Sequence, residues 1–186
     1  MNNINGYDDL QDALSDVIKE YELDTVSVRS LLMSSFDFLE PELQAASVAI
    51  IYPEDLEKSK SIHPSNIQVN IKFALDTIFA VKSIISTKDF SLVLLILKAL
   101  VMFIHSATVQ IKKEDAIVLY SIYRLQNANI DDIQKYIIKL KEENDDIDII
   151  DEGIIERSIL DLEKIKAIEL VNGLYSLHDI ILVKAS

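Results

Sequence analysis

The chain contains no cysteine and no tryptophan, and only three glycines and three prolines among its 186 residues. Without cysteine there is no disulfide, no thiolate metal ligand and no cysteine nucleophile. The three glycines, Gly6, Gly153 and Gly173, are too few and too scattered for a phosphate-cradling loop, which needs several glycines for close backbone approach. The sequence therefore excludes nucleotide-binding enzymes of the Rossmann and P-loop types.

Positive charge is also scarce, because 18 Lys and Arg face 31 Asp and Glu and give a net charge of −13. Such a balance disfavours nucleic acid and anionic membrane surfaces as partners. The hydrophobic fraction of 49% nevertheless predicts a globular fold with a real core. The first residues, MNNINGYDDLQDAL, lack a basic segment followed by an apolar one, so we expect no secretory signal and a cytoplasmic location.

One long apolar run, from Phe90 to Val109, has the length of a membrane span. Lys98 lies in the middle of this run, and a charge at a bilayer centre costs about 2.5–3.5 kcal/mol on insertion scales. We therefore predict a helix buried in a helical domain, and no membrane association.

The first 108 residues predict a helical domain. Apolar spacing predicts amphipathic helices over residues 7–21 and 67–85, whereas residues 23–39 carry both a strand-like and a helix-like pattern. Two further helix starts carry proline in the first turn; they predict helices over residues 41–51 and 53–59, followed by a polar loop at 60–65.

The remaining residues, 109–186, are predicted to form a second domain. Apolar residues at helical spacing predict a first helix over residues 112–125. Asn129 and Asp151 have the side chains of N-caps and predict the starts of a second and a third helix.

A hairpin is predicted to follow the third helix. The dipeptide Asn172-Gly173 is a strong hairpin signal because a type I′ turn needs positive φ at both central positions, and the hairpin would occupy residues 167–183. In this order of elements the stretch 110–184 resembles the winged helix-turn-helix superfamily, with the hairpin as the wing. It departs from that family at residues 142–150, where the link between the second and third helices is long.

The resemblance implies DNA reading by the third helix, but the charge argues against it. Residues 109–186 carry 10 Lys and Arg against 16 Asp and Glu, whereas DNA readers place cations on phosphates. Opposite its apolar residues this helix displays a mixed face, which could read DNA, contact a protein through one apolar anchor, or simply be solvated. Protein contact and solvation are favoured over DNA, and the candidate partner-binding residues are Glu156, Arg157, Leu160 and Lys164.

Catalytic and metal-binding patterns are absent from the sequence. The acidic run over residues 142–152 fails the EF-hand template, because the glycine position and the final glutamate position are occupied by other residues. His63, His105 and His178 form no zinc-binding pattern. We therefore predict no enzyme activity, no cofactor and no metal.

The predicted fold class is mainly α, with a helical N-terminal domain and a winged-helix-like C-terminal domain. The favoured function is a non-catalytic protein-interaction module in a larger assembly, through a protein partner or self-association. Acidic winged helices act this way in several complexes, for instance in chromosome-condensation accessory subunits, which this chain resembles in fold order and charge only.

The alternative function is a DNA-binding transcription regulator whose helical half senses or dimerises. A dimer would support it by clustering on one side the basic residues Lys112, Lys113, Arg124, Arg157, Lys164 and Lys166. An enzyme would need a polar cleft in residues 1–108.

Overall fold

A computed structural model describes residues 4, 6–39, 66–80, 82, 85–104, 108–145, 147–148 and 150–184. The predicted helices over residues 41–51 and 53–59, the loop at 60–65, His63 and His105 lie outside the described residues. The helices are α1 (Tyr7–Ala13), α2 (Ser15–Glu20), α3 (Thr25–Ser35), α4 (Ile71–Phe79), α5 (Thr87–Ile104), α6 (Lys113–Leu125), α7 (Ile130–Glu143) and α8 (Glu152–Lys164). The strands are β1 (Phe36–Leu39), β2 (Asn66–Val69), β3 (Ile168–Val171), β4 (Leu174–Leu177) and β5 (Ile181–Lys184).

The fold is mainly α with small antiparallel sheets, as predicted. The helix predicted over residues 7–21 is present as α1 and α2, which are separated at Leu14. Its apolar stripe faces the core, since Leu10, Leu14 and Ile18 are all buried.

The ambiguous segment, residues 23–39, contains both of the structures that its pattern suggested. It starts as α3, where the Asp24 carboxylate caps the helix by accepting a hydrogen bond from the Ser27 N–H at 2.8 Å. The helix ends at Ser35, and Phe36 begins β1 with extended backbone.

The single long helix predicted over residues 67–85 is wrong at its beginning and in its length. Residues 66–69 form β2, which pairs antiparallel with both β1 and β5. Ile67 and Val69 alternate inward, so their spacing fits a strand as well as a helix, and pairing on both edges decides for the strand. The helix α4 starts only after Asn70, whose side chain accepts a hydrogen bond from the Phe73 N–H at 2.8 Å.

Residues 90–104 of the apolar run lie in α5, a helix that is buried along most of its length, as predicted. Lys98 is only partly buried. Nowhere in the described ranges does a helix combine the length and the apolar character that crossing a membrane requires.

The three C-terminal helices predicted from the sequence are present as α6, α7 and α8. Asn129 and Asp151 cap α7 and α8 as expected, each accepting a hydrogen bond from the backbone N–H of the third residue of its helix. The long link between these helices is anchored in the core by Ile147 and Ile150, which are each 2% exposed. Its extra length is therefore used for packing.

The predicted hairpin is correct in its first two strands and wrong in its last part. Strands β3 and β4 pair across the Asn172-Gly173 turn, but the pairing ends at Leu177. Residues 181–184 instead form β5, which pairs with β2 of the N-terminal half in a three-stranded sheet of order β1-β2-β5. Ile181 and Val183 are buried there while Leu182 points outward, which is the alternation of a strand with one covered face.

A seam of aromatic rings joins α4 and α5 to the C-terminal helices. The Tyr120 ring of α6 lies 4.3 Å from the Phe79 ring and 5.5 Å from the Phe90 ring, measured between centroids. The Tyr123 hydroxyl donates a hydrogen bond to the Asp76 carboxylate at 2.5 Å. The buried side chains of both halves form one hydrophobic cluster. The domain boundary at residues 108–109 stays a prediction, and the sheet β1-β2-β5 crosses it.

Candidate functional site

Helix α8 carries all four of the predicted partner-binding residues, and its two faces are chemically different. Ile155, Ile159 and Leu162 are buried against the rest of the C-terminal half. The outer face carries Glu156 and Leu160, and the Leu160 side chain is 55% exposed. The sequence therefore located the exposed apolar residue of this helix.

Arg157 lies at the edge of the inner face. Its Nη2 atom is 3.0 Å from the Oδ1 atom of Asp115, a residue of α6 with no solvent exposure. The other oxygen of Asp115 accepts a hydrogen bond from the Lys112 N–H at 2.6 Å. The guanidinium thus neutralises a buried carboxylate and fixes α8 to the start of α6, so it is already engaged within the fold.

Leu160 has charge of opposite sign on its two flanks. At 100° per residue, Glu156 and Glu163 lie on one side of Leu160, while Arg157 and Lys164 lie on the other. The Lys164 Nζ atom is 3.1 Å from the Asp161 Oδ1 atom, so this cation also has a partner on its own helix. Among the described residues, Glu156 and Glu163 form no such ion pair, so their flank of the helix carries a net negative charge.

The end of α8 directs the chain into the hairpin. Lys166 has a φ of 58°, the left-handed conformation that commonly ends helices. The Ala167 N–H donates a hydrogen bond to the Leu162 carbonyl at 2.9 Å, which closes the last turn. Strand β3 then starts at Ile168, so the hairpin begins directly at the end of the helix.

The turn of the hairpin has the predicted backbone. Asn172 and Gly173 have φ values of 53° and 80°, and positive φ at both positions is the requirement of a type I′ turn. The residues around the turn are apolar and exposed: Leu170 is 53% exposed, Val171 46% and Leu174 36%.

Tyr175 connects the hairpin to the glutamate flank of α8. It is the cross-strand partner of Leu170, so both side chains point to the same face of the hairpin. Its backbone exchanges two hydrogen bonds with Ala128, at 2.8 and 3.1 Å. Burial, together with the negative charges of Glu163 and Glu156, raises the pKa of the Tyr175 hydroxyl.

These observations define a helix–hairpin surface, which consists of Glu156, Leu160, Glu163, Leu170 and Tyr175. Leu160 and Glu156 were among the candidate residues predicted from the sequence, whereas Glu163 and the hairpin residues were not. The sequence does contain a signal for an exposed apolar residue in the hairpin. Leu170 and Val171 are adjacent in a strand, so their side chains must point to opposite faces. At least one apolar side chain of this pair was therefore certain to face away from the core.

The hairpin contains no basic residue, and Glu169 is its one ionisable acid. The His178 Nε2 atom lies 3.6 Å from the Glu169 carboxylate. Helix α8 has four acidic residues, and its two basic ones are paired with Asp115 and Asp161. The helix and hairpin therefore present apolar and acidic groups where a phosphate-binding surface needs cations.

The acidic run over residues 142–152 contains a residue with a structural role. The Asp151 carboxylate accepts a hydrogen bond from the Ile154 N–H at 2.8 Å and caps α8. Within the described ranges, no three histidine, aspartate or glutamate side chains converge as metal ligands.

Comparison with family models gave no match for this chain. Searches of curated proteins and of solved structures also gave no significant match.

Proposed function

We propose that this chain is a non-catalytic protein-interaction module, a subunit or adaptor of a larger assembly, built on a winged-helix-like C-terminal half. The order α6, the Ala128 bridge, α7, α8 and the β3–β4 hairpin supports the winged-helix proposal. In this interpretation α8 is the third helix of the motif and the hairpin is its wing.

The observation that carries the proposed function is the exposed apolar tip of the hairpin that follows α8, together with the exposed Leu160 of that helix. Leu170, Val171 and Leu174 are exposed around a tight turn and contribute little to the core. Scattered exposed apolar residues are ordinary, but a group on adjacent elements is typical of a contact site. Apolar anchors surrounded by charge are the arrangement found at the centres of protein interfaces.

A DNA-binding regulator is the second candidate, supported by the same order of elements. Of the six basic residues that a dimer would have to cluster, Arg157 and Lys164 are already paired within the protomer. Lys112, Lys113, Arg124 and Lys166 would have to supply the phosphate contacts. Because only four of the six basic residues are left for phosphates, we favour the interaction module over the DNA-binding regulator.

Titration of a fluorescent DNA duplex of mixed sequence with the full chain separates the two candidates. For the interaction module we expect binding no tighter than about 10⁻⁶ M at physiological salt, the range of non-specific contact. Selection of a preferred sequence from a random library, bound at roughly 10⁻⁸ M or tighter, would instead establish the regulator.

A second experiment tests the contact site itself. A photo-crosslinking amino acid placed at Leu170 should capture a defined protein in the native host, whereas the same group at Ile138 should not. Ile138 is a matched control because it is also apolar, is 45% exposed and lies on α7. Equal products from both positions, or none from either, would count against the proposed module.

A further inference from the structure

We propose that the helix–hairpin surface binds a basic protein segment that inserts at least one apolar side chain between α8 and the hairpin. This inference rests on the proposed interaction function and specifies the chemistry of the partner. It is carried by two independent properties of the surface, its apolar centre and the sign of its charged edge.

The apolar centre spans two elements. Leu160 projects from the outer face of α8, and Leu170 and Tyr175 share one face of the hairpin that follows this helix. The left-handed turn at Lys166 starts the hairpin directly at the end of α8, and the hydrogen bonds between Tyr175 and Ala128 fix the hairpin to the segment between α6 and α7. A preorganised surface loses little conformational entropy on binding, so a single apolar anchor gains affinity there.

The charged edge selects the sign of the partner. Glu156 and Glu163 lie together on one flank of Leu160, and the two strands of the hairpin carry no cation. Lys164 lies on the other flank, at 3.1 Å from Asp161. A lysine or arginine beside the apolar anchor of the partner would therefore meet two carboxylates, which favours basic segments through charge complementarity.

The same carboxylates disfavour the other occupants. Nucleic acid and anionic membranes would bring phosphates against Glu156 and Glu163. A second copy of this chain carries a net charge of −13 and would place like charges together if this surface paired with itself.

The test uses two labelled peptides with the full chain. Both carry leucines at helical spacing; in one the remaining positions are lysine, and in the other they are glutamate. We expect the lysine peptide to bind and its affinity to fall with added salt, because the contact is partly electrostatic. We expect the glutamate peptide not to bind. Equal binding of both peptides would overturn the argument from charge.

Location is tested with two double variants of equal charge change. E156K/E163K reverses the proposed edge, whereas E142K/D145K reverses two exposed carboxylates at the end of α7. We expect E156K/E163K to bind the lysine peptide roughly tenfold more weakly than the control variant does, which corresponds to about 1.4 kcal/mol. Both variants should keep the helical circular dichroism of the parent.

Equal losses in the two double variants would mean that a cationic peptide is attracted to the acidic chain as a whole, and the proposed surface would be wrong. The proposed function fails separately, in the crosslinking experiment at Leu170. If crosslinking at Leu170 succeeds while the double variants behave alike, the module stands and the basic partner does not.

Discussion

The two β-sheets of this protein use the same kinds of side chain in opposite ways. In the three-stranded sheet, Phe36 and Val69 are fully buried and Ile181 is 3% exposed. The inner face of that sheet packs on α5, where the rings of Phe36 and Phe103 are 5.7 Å apart. In the hairpin, the apolar residues near the turn extend beyond the core, and Leu170 is 53% exposed.

The difference shows that hydrophobicity alone does not determine which strand residues stabilise the fold. The three-stranded sheet gains stability because a helix covers one of its faces. No described element covers the hairpin tip in this way, so its apolar side chains gain little on folding and remain available to a partner. Substitutions in the two sheets should therefore separate stability from binding.

The largest expected effect is in the three-stranded sheet. Ile181→Asp places a carboxylate without a partner against the core, and we expect the free energy of unfolding to fall by roughly 3–5 kcal/mol. Leu182→Asp, at the next position of the same strand, is the control, since this side chain is 64% exposed. It should change the free energy by less than about 0.5 kcal/mol. Urea unfolding followed by circular dichroism measures both, and similar values would contradict the described face of β5.

A smaller effect on stability is expected at Asp115, whose carboxylate pairs with Arg157 and so joins α6 to α8. Asp115→Asn keeps the shape but weakens a hydrogen bond to a charged group, which typically contributes roughly 1.5–3 kcal/mol. We expect a loss of stability in that range by urea unfolding. Glu114→Gln alters the preceding, partly exposed carboxylate and should have a much smaller effect. A silent Asp115→Asn would show that the ion pair does not hold α8 in place.

The turn of the hairpin should respond locally. Gly173 has a φ of 80°, and Gly173→Val should cost roughly 1–2 kcal/mol in the hairpin, because a left-handed conformation is strained for a β-branched residue. Hydrogen exchange should accelerate in β3 and β4 and stay unchanged in β1 and β2.

The matched glycine substitution is Gly153→Ala in α8, where an added Cβ meets only an ordinary contact at 3.5 Å from Asp151. It should stabilise the protein by roughly 0.5–1 kcal/mol, since alanine is the better helix former. Destabilisation by Gly153→Ala, or unchanged exchange after Gly173→Val, would contradict the described backbone at these positions.

The smallest effect on stability is expected at Leu170, the hairpin residue at the proposed contact site. Leu170→Glu changes an exposed side chain and should alter the free energy of unfolding by less than about 0.5 kcal/mol. A loss above about 2 kcal/mol would place Leu170 in the core and remove it from the proposed surface.

Much of the fold could be predicted from local signals. N-cap residues, apolar periodicity and the Asn172-Gly173 dipeptide gave α6, α7, α8 and the turn correctly. The misassigned segments are β2 and β5, which form a strand pair between distant parts of the chain. Short apolar segments fit helix and strand alike, and only a distant partner decides between them.

The candidate site was predicted in part for a similar reason. Helical spacing placed Leu160 and Glu156 on the outer face of α8, as observed. The same spacing placed Lys164 there, as observed, and also Arg157, which lies at the edge of the inner face; a helical wheel does not reveal that both cations are paired with aspartates. The partner of Arg157 is Asp115, which lies on a different helix and could be found only from the tertiary structure.

The pairing of β2 with β5 has a consequence during synthesis of the chain. Val69 pairs with Ile181, so β2 must wait for about 110 further residues, or roughly 6–20 s at ordinary rates of translation. In that interval the edge of β2 that later pairs with β5 has no partner, and such edges are prone to wrong pairing and aggregation. The ribosome-bound intermediate, rather than the finished protein, is therefore the state in which this chain should depend most on chaperones.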